Sequence, residues 1–202
     1  MAKFLKLFVV IFFLFFSTAI SYGQAQDQPK PTWTQVRVES LGSMVSGAIY
    51  RDNNKFVLDA NYNYDFSRTA TVCLGKNFGS DKFSVIPEVC GLFGLYNGMG
   101  PKVWFYSDTN GHFFEAYLQY AKMDKDSSFA YAWLQAEKKV GYGIRLGIAS
   151  QSLKEDASRS FKTDIGPSIS MVLRKHVTLS FAPLFSTNSG KVTPYARIAY
   201  DF

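Results

Sequence analysis

Residues 192–202, which read VTPYARIAYDF, decide the fold of this chain because their apolar and polar residues alternate to the last position. In an extended strand, one face would carry Val192, Pro194, Ala196, Ile198, Tyr200 and Phe202, and the other Thr193, Tyr195, Arg197, Ala199 and Asp201. A period of two is the pattern of a β-strand that has one apolar side and one polar side. The segment therefore predicts a strand that lies between an apolar and a polar environment.

The same alternation recurs upstream and is interrupted by short clusters of turn residues such as Asp108-Thr109-Asn110-Gly111. No convincing helix is found after residue 31. We predict up to twelve strands near 32–40, 44–51, 55–65, 69–77, 82–95, 101–108, 112–122, 127–137, 140–150, 160–173, 176–186 and 190–202. The first two strands have the weakest pattern: if residues 32–50 form one long strand, or if the first two strands are disordered, the number falls toward ten, and eight is a further alternative.

The N-terminal segment is typical of an export signal. Lys3 and Lys6 precede ten apolar residues at 7–16 (LFVVIFFLFF), and Ser21 and Gly23 supply the small residues that a signal peptidase requires. Ten residues are too few to span a bilayer as a helix, which takes about 20. We expect a signal peptide at 1–23, a flexible leader at 24–31 and one β-domain at 32–202. Cleavage after Ala25 and an uncleaved membrane anchor are the alternatives.

Composition excludes several classes of protein. The chain has 202 residues, 17% aromatic and 19% charged, which is too aromatic and too weakly charged for a disordered protein. A mean hydropathy of −0.05 is too polar for a helical membrane protein. Two cysteines and two histidines leave little for a metal centre, so no metal or cofactor is expected. Loss of residues 1–23 leaves 20 basic and 16 acidic side chains without a basic cluster, so no nucleic-acid partner is expected.

Strand length and face composition favour a membrane barrel over a soluble sandwich. Most predicted strands have about the 9–11 residues that a transmembrane β-strand needs. Their apolar faces carry Phe, Tyr, Leu and Ile, and their other faces carry Gly, Ser, Thr, Asn and scattered charges. Four prolines inside predicted strands argue in the opposite direction, because proline cannot donate to a strand ladder: Pro87, Pro167, Pro183 and Pro194.

The ending ARIAYDF at 196–202 resembles the last strand of bacterial outer-membrane β-barrel proteins. The resemblance is to a class, and it implies that Tyr200 and Phe202 belong to the signal that the barrel-insertion machinery reads. It also implies a closed antiparallel transmembrane barrel in the outer membrane, surrounded by its lipid. With the strands counted above, the predicted fold is all-β, a closed barrel of about twelve strands. Closure has an independent physical reason, since every backbone polar group must be paired in lipid.

The polar faces supply candidate lumen residues of both signs: Arg37, Lys55, Asp59, Glu88, Glu115, Arg145, Lys162, Asp164, Arg174 and Arg197. Such residues either form an ion-pair network that plugs a barrel or line a channel and tune its ion preference. The function predicted is a small passive, porin-like pore for small solutes, or a structural barrel, with weak ion selectivity and at most a slight anion preference. The alternative is a secreted or periplasmic β-sandwich or lipocalin-like ligand-binding protein.

Three further features leave alternatives open. Cys73 and Cys90 lie opposite each other only if the connecting turn falls at Asp81-Lys82, so a disulfide is possible there. His176 and Thr178 share a strand face, in the relation that a His and a Ser have in some lipid-modifying barrel enzymes. Because the hydroxyl here is Thr and no carboxylate partner is identifiable, no enzyme is expected. Residues that could belong to aromatic girdles at the membrane surfaces are Trp33, Trp104, Trp133, Tyr62, Tyr64, Tyr106, Tyr120, Tyr142 and Tyr200.

Overall fold

A computed structural model describes residues 33–39, 44–51, 56–63, 68–80, 82–124, 127–155, 160–173 and 177–201. The strands are β1 (Trp33–Glu39), β2 (Met44–Arg51), β3 (Phe56–Asn63), β4 (Thr69–Lys76), β5 (Phe78–Ser80), β6 (Phe83–Gly94), β7 (Gly98–Thr109), β8 (His112–Met123), β9 (Ser128–Gly141), β10 (Ile144–Glu155), β11 (Lys162–Leu173), β12 (Val177–Ser186) and β13 (Val192–Asp201). All twelve predicted strands form, with ends displaced by a few residues. Within the described ranges, no helix has the length and apolar character needed to cross a membrane.

The strands form one antiparallel sheet that closes on itself. β1 pairs with β13, and β4 pairs with β6, which joins the two ends of the sheet order. β4 and β5 keep one common register against β6, since Gly75 pairs with Glu88 and Phe78 with Val85. They are therefore two parts of one wall strand, and the wall has twelve strands. The pairing of the strands therefore confirms the predicted closed twelve-stranded barrel and excludes a β-sandwich.

The outer surface of the barrel is apolar. Large apolar side chains face outward on the strands from β3 to β13, among them Phe56, Leu74, Phe83, Val89, Phe93, Met99, Phe114, Leu118, Leu146, Ile148, Ile165, Ile169, Leu179, Phe181, Phe185, Ile198 and Tyr200. A strand of twelve residues such as β6 rises about 40 Å, which at a tilt of about 40° covers about 30 Å of membrane normal. The barrel wall therefore has the height and the exterior of a membrane-spanning barrel.

The two ends of the barrel differ in their connections. We call the end that holds the start of β1 and the end of β13 the terminal end. Three connections there have only two residues each, and in one of them Asn110 (φ 52°) and Gly111 (φ 76°) form the tight hairpin turn predicted from the sequence. The other two connections at the terminal end have four and three residues, whereas the connections at the opposite end have three to six residues, the longest between β10 and β11. Short turns at one end and longer loops at the other are typical of outer-membrane barrels.

The four prolines that argued against the barrel are accommodated on its outer side. Pro87, Pro167 and Pro194 are exposed, and Pro183 is half-buried. The ladder between β11 and β12 is interrupted where Pro167 and Pro183 face each other, because neither can donate a backbone hydrogen bond. There β11 approaches β12 so closely that a Cβ on Gly166 would meet the Pro183 carbonyl oxygen at 1.8 Å. Glycine is therefore required at this point of the wall.

The core of the protein is inside the barrel. One cluster of buried apolar side chains contains Val57, Ile86 and Trp104, and another contains Trp133, Ala149, Ala182, Leu184 and Tyr195. Tyr117 packs against both clusters. Trp104 and Trp133 are therefore lumen residues, so their interpretation as girdle residues was wrong, and the inner face is less uniformly small and polar than the sequence pattern indicated.

Candidate functional site

Glu115 is the centre of an ion cluster inside the lumen. Arg37 Nη1 lies 2.6 Å from Glu115 Oε1, and Arg197 Nη1 lies 2.5 Å from Glu115 Oε2. Glu115 is on β8, whereas the arginines are on β1 and β13, which are six and five strands away around the ring of twelve. The Arg37 guanidinium also lies 4.8 Å from the centre of the Trp104 ring, a cation–π contact. The cluster therefore joins opposite walls of the barrel.

A hydrogen-bond network continues from this cluster along the neighbouring wall. Arg197 Nη2 donates to Gln135 Oε1 at 3.0 Å, and Gln135 Nε2 donates to Glu137 Oε1 at 2.8 Å. Ser170 Oγ also donates to Glu137 Oε1, at 2.8 Å, and lies 2.8 Å from Ser180 Oγ. These side chains are all buried. The network holds the Arg197 side chain in one orientation, because it fixes a second nitrogen of its guanidinium group.

A polar cavity lies beside Glu115 towards the terminal end. Its volume is about 230 Å³, and Arg145 crosses its edge to Asp108, with Nη2 and Oδ2 2.6 Å apart. The lining residues are Arg37, Tyr106, Asp108, Phe113, Glu115, Arg145, Ser170, Val172, Thr178, Arg197 and Ala199. Three arginines and two carboxylates give this lining a formal charge of +1. The cavity therefore offers hydroxyl and guanidinium groups in a lumen that is weakly positive there.

A second ion cluster lies on the wall formed by β3 to β7. Lys102 Nζ contacts Asp59 Oδ2 and lies 3.0 Å from Glu88 Oε2, and all three residues are buried. Lys102 is on β7 and Asp59 on β3, so the lysine side chain passes over the two strands between them. Two carboxylates share one ammonium group, and this cluster carries a formal charge of −1.

A disulfide between Cys73 and Cys90 lies under this cluster. The two residues are direct partners in the pairing of β4 with β6, with Cα atoms 4.0 Å apart. The pairing of Ser80 with Phe83 places the turn at Asp81-Lys82, which is the turn position that the disulfide required. The Cys73 sulfur and the carboxylates of Asp59 and Glu88 lie within 4.8 Å of one another. The sulfur is bonded and the carboxylates hold Lys102, so this group does not have the character of a metal site.

Of the ten predicted lumen residues, six take part in ion pairs inside the barrel, two lie apart from these ion pairs and two lie outside the described residues. Arg37, Glu115 and Arg197 form one cluster, Asp59 and Glu88 belong to the second, and Arg145 pairs with Asp108. Asp164 accepts a hydrogen bond from Gln151 at 2.8 Å, away from both clusters. Lys162 is exposed at the start of β11 and does not line the enclosed lumen. Lys55, Arg174, His176, Phe202, the signal peptide at 1–23 and the leader at 24–31 lie outside the described residues.

Lys102, Asp108, Gln135 and Glu137 are the site residues that the sequence pattern did not identify. Alternation would have found the first two, because Lys102, Trp104, Tyr106 and Asp108 occupy every second position of β7. Tyr200, predicted as part of the insertion signal, faces outward and is 42% exposed. This position is compatible with recognition from outside the barrel.

Aromatic side chains fill the lumen beyond the Glu115 cluster. The rings of Trp133 and Tyr195 have centres 4.5 Å apart, and those of Tyr117 and Tyr131 are stacked at 5.5 Å. Trp133 is 2% exposed and Tyr195 is 1% exposed. In the part of the chain that the structure describes, the lumen is therefore obstructed by aromatic rings and by charged side chains that reach across it.

Among the comparisons with known proteins, those with solved structures show the fold. No protein-family model and no curated protein matches the sequence. The NanC porin has a TM-score of 0.53 and 11% identity, over 84% of this chain and 98% of the porin. The KdgM porin has a TM-score of 0.52 and 12% identity, over 85% and 98%. KdgM in complex with disordered oligogalacturonate has a TM-score of 0.51 and 11% identity, over the same shares. The chain has the transmembrane β-barrel fold of outer-membrane porins.

Proposed function

We propose that this protein is a porin-like channel for small solutes in the outer membrane. The apolar exterior and the closed wall supply the membrane-spanning part, and the signal at 1–23 would direct export. The strand that ends in Tyr200 and Phe202 would be read by the barrel-insertion machinery. The same apolar exterior disfavours the soluble ligand-binding alternative, because a protein in water would expose a very large apolar area there.

The observation that carries the proposal is a lumen closed by charged side chains beside a polar cavity. Buried ion pairs are a costly way to fill a permanent core, and apolar residues of similar volume are often as stable or more stable. Charged residues inside a membrane protein usually mark a path for ions or solutes. The bridges of Glu115 to Arg37 and Arg197 therefore fit a constriction better than a structural plug.

The charge of the cavity supports a small preference for anions. Its lining carries one more arginine than carboxylate, and each of the three arginines is ion-paired to an acid. Such a lining would favour anions only weakly. Acidic sugars are a reasonable class of solute to test, because the KdgM structure was determined with oligogalacturonate. No enzymatic activity and no cofactor is part of the proposal.

Conductance in planar lipid bilayers and swelling of liposomes test the proposal together. We expect small, reproducible conductance steps and faster entry of galacturonate than of galactose, which has nearly the same size but no charge. Folding is checked first by gel mobility in cold detergent with and without boiling. A protein that shows the heat-dependent shift but gives no conductance and no swelling would be a structural barrel, and the channel proposal would be wrong.

A further inference from the structure

We infer that Glu115 is a gating residue of this barrel: its tethered carboxylate closes the lumen at the level of Arg37 and Arg197, and an anion from solution must take its place for this level to open. The inference rests on the proposed channel function. To that function it adds the residue that controls opening and the event that opens the channel. In this event the Glu115 carboxylate leaves Arg37 and Arg197, and an anion from solution takes its place.

The first argument is the direction of the Glu115 side chain. Its neighbours in the β-sheet register are Tyr106 on β7 and Gln135 on β9, yet both carboxylate oxygens bond to arginines on the far wall. Only 1% of the residue is exposed. A side chain that formed only local wall contacts would leave the lumen open at this height. Glu115 instead crosses the lumen, so its position determines whether this level is open.

The second argument is the repulsion between the two arginines. Arg37 and Arg197 lie on the paired strands β1 and β13, where Arg37 is opposite Ala199 and Arg197 is opposite Glu39, so they are diagonal neighbours. Two guanidinium groups this close on one wall repel each other unless an anion lies between them. Glu115 supplies an anion that both groups contact in the closed lumen. Its departure removes one negative charge from beside the two guanidinium groups, which favours the entry of an anion from solution.

The third argument is access from the cavity. Arg37, Glu115 and Arg197 all line the cavity of about 230 Å³, so an anion that enters it reaches the same guanidinium groups that Glu115 binds. One water occupies about 30 Å³ of liquid, so the cavity has room for a small hydrated anion or carboxylate. Ser170 and Thr178 add hydroxyl groups to the lining. An exchange of anions therefore needs no rearrangement of the barrel wall.

Planar-bilayer recordings of Glu115→Gln and Glu115→Ala in potassium chloride test the inference. We expect conductance severalfold above that of the wild type, and a reversal potential in a salt gradient that moves towards the chloride equilibrium value. The matched control is Asp164→Asn, which makes the same change of charge at a lumen residue that is bonded to Gln151 and, among the described residues, to no arginine. The control should change both quantities much less.

Sodium acetate gives a second readout that a merely loosened barrel would not show. Acetate can occupy the anion site that Glu115→Ala vacates and compete there with chloride, so millimolar acetate should reduce the chloride current of this variant. The same addition should leave the current of Asp164→Asn unchanged. A current in Glu115→Ala that does not respond to acetate would contradict an anion site between the two arginines.

The outcomes separate this inference from the channel proposal. If the wild type conducts and the Glu115 variants have the conductance of Asp164→Asn, the gating inference is wrong and the channel proposal is still supported. If no folded variant conducts, both are wrong. If the Glu115 variants fail the gel test for folding, Arg37→Gln decides, because it releases one of the two bridges and removes a positive charge. It should raise conductance and lower the anion preference, and an unchanged current would overturn the inference.

Discussion

Arginine substitutions on the outer face offer a direct test of the membrane-spanning wall. Val89 is the seventh residue of β6 and is 62% exposed. About 18 Å of strand extends to either side of it, or about 14 Å along the membrane normal at a tilt of about 40°. Its register neighbours on the adjacent strands are Leu74 and Pro101, which are exposed as well. Val89 should therefore lie near the midplane of the hydrocarbon layer.

Val140 provides a matched control for Val89. It is the same residue type and is 59% exposed, but it is the second-last residue of β9 and follows the exposed Lys138 and Lys139. Arginine on the lipid face costs about 2–4 kcal/mol at the midplane and about 0–1 kcal/mol near the interface. Val89→Arg should therefore be about 3 kcal/mol less stable than Val140→Arg, about two orders of magnitude in the folding equilibrium.

Reversible unfolding in guanidinium chloride in the presence of liposomes, followed by tryptophan fluorescence, measures this difference. The slopes of the transitions must agree with that of the wild type, so that the midpoints report stability. Equal stability of Val89→Arg and Val140→Arg would refute the reasoning, because a surface in water would tolerate arginine equally well at both positions.

Two further predictions concern the wall formed by β3 to β7. Lys102→Met should destabilise the barrel by about 3–5 kcal/mol in the same unfolding assay, because Asp59 and Glu88 stay buried without their cation. Combination with Asp59→Asn and Glu88→Gln should recover most of the loss, and no recovery would contradict the ion-pair explanation. Replacement of both Cys73 and Cys90 by serine should cost about 3 kcal/mol, as expected for a loop of this length. Detection of free thiols in the unreduced, unfolded protein would contradict the disulfide itself.

The strands and their faces could be predicted because inward-facing and outward-facing residues alternate along every strand of a barrel. In β13, alternation alone assigns Tyr195, Arg197 and Ala199 to the inside, and all three are buried there. Turn residues fixed most of the boundaries for the same local reason. The wall consists of successive β-hairpins, and the residues that determine each hairpin are close together in the sequence.

Partners across the lumen could not be predicted in this way. Alternation tells which face a residue occupies, but not its height or the strand that lies opposite. Glu115 meets Arg37 only because β8 is six strands away from β1 in a ring of twelve, and a different strand number would give Glu115 other partners. The disulfide had a similar dependence, since a shift of the turn from residues 81–82 would have separated Cys73 from Cys90.

Trp104 shows how an inner face can be misread and how the pattern could have corrected it. An aromatic residue on a strand is equally compatible with a membrane girdle and with the lumen. Lys102 and Asp108 lie on the same face as Trp104, whereas Val103 and Phe105 lie on the other. A lysine near the middle of a membrane-spanning strand is far more costly towards lipid than towards a polar lumen. The charge of the neighbours, rather than the aromatic residue itself, identifies the face.

The size of the ring explains why long polar side chains close this lumen. Eight strands make a barrel whose interior ordinary side chains just fill, so a ring of twelve leaves a wider space. Here arginine, glutamate, tryptophan and tyrosine fill part of that space by reaching across it. Water and ions can replace each ionic contact of Arg37, Glu115 and Arg197, but they cannot replace the contacts of an aliphatic core. A lumen closed by such contacts can be reopened locally while the hydrogen-bonded wall stays intact, which is the requirement for a gate.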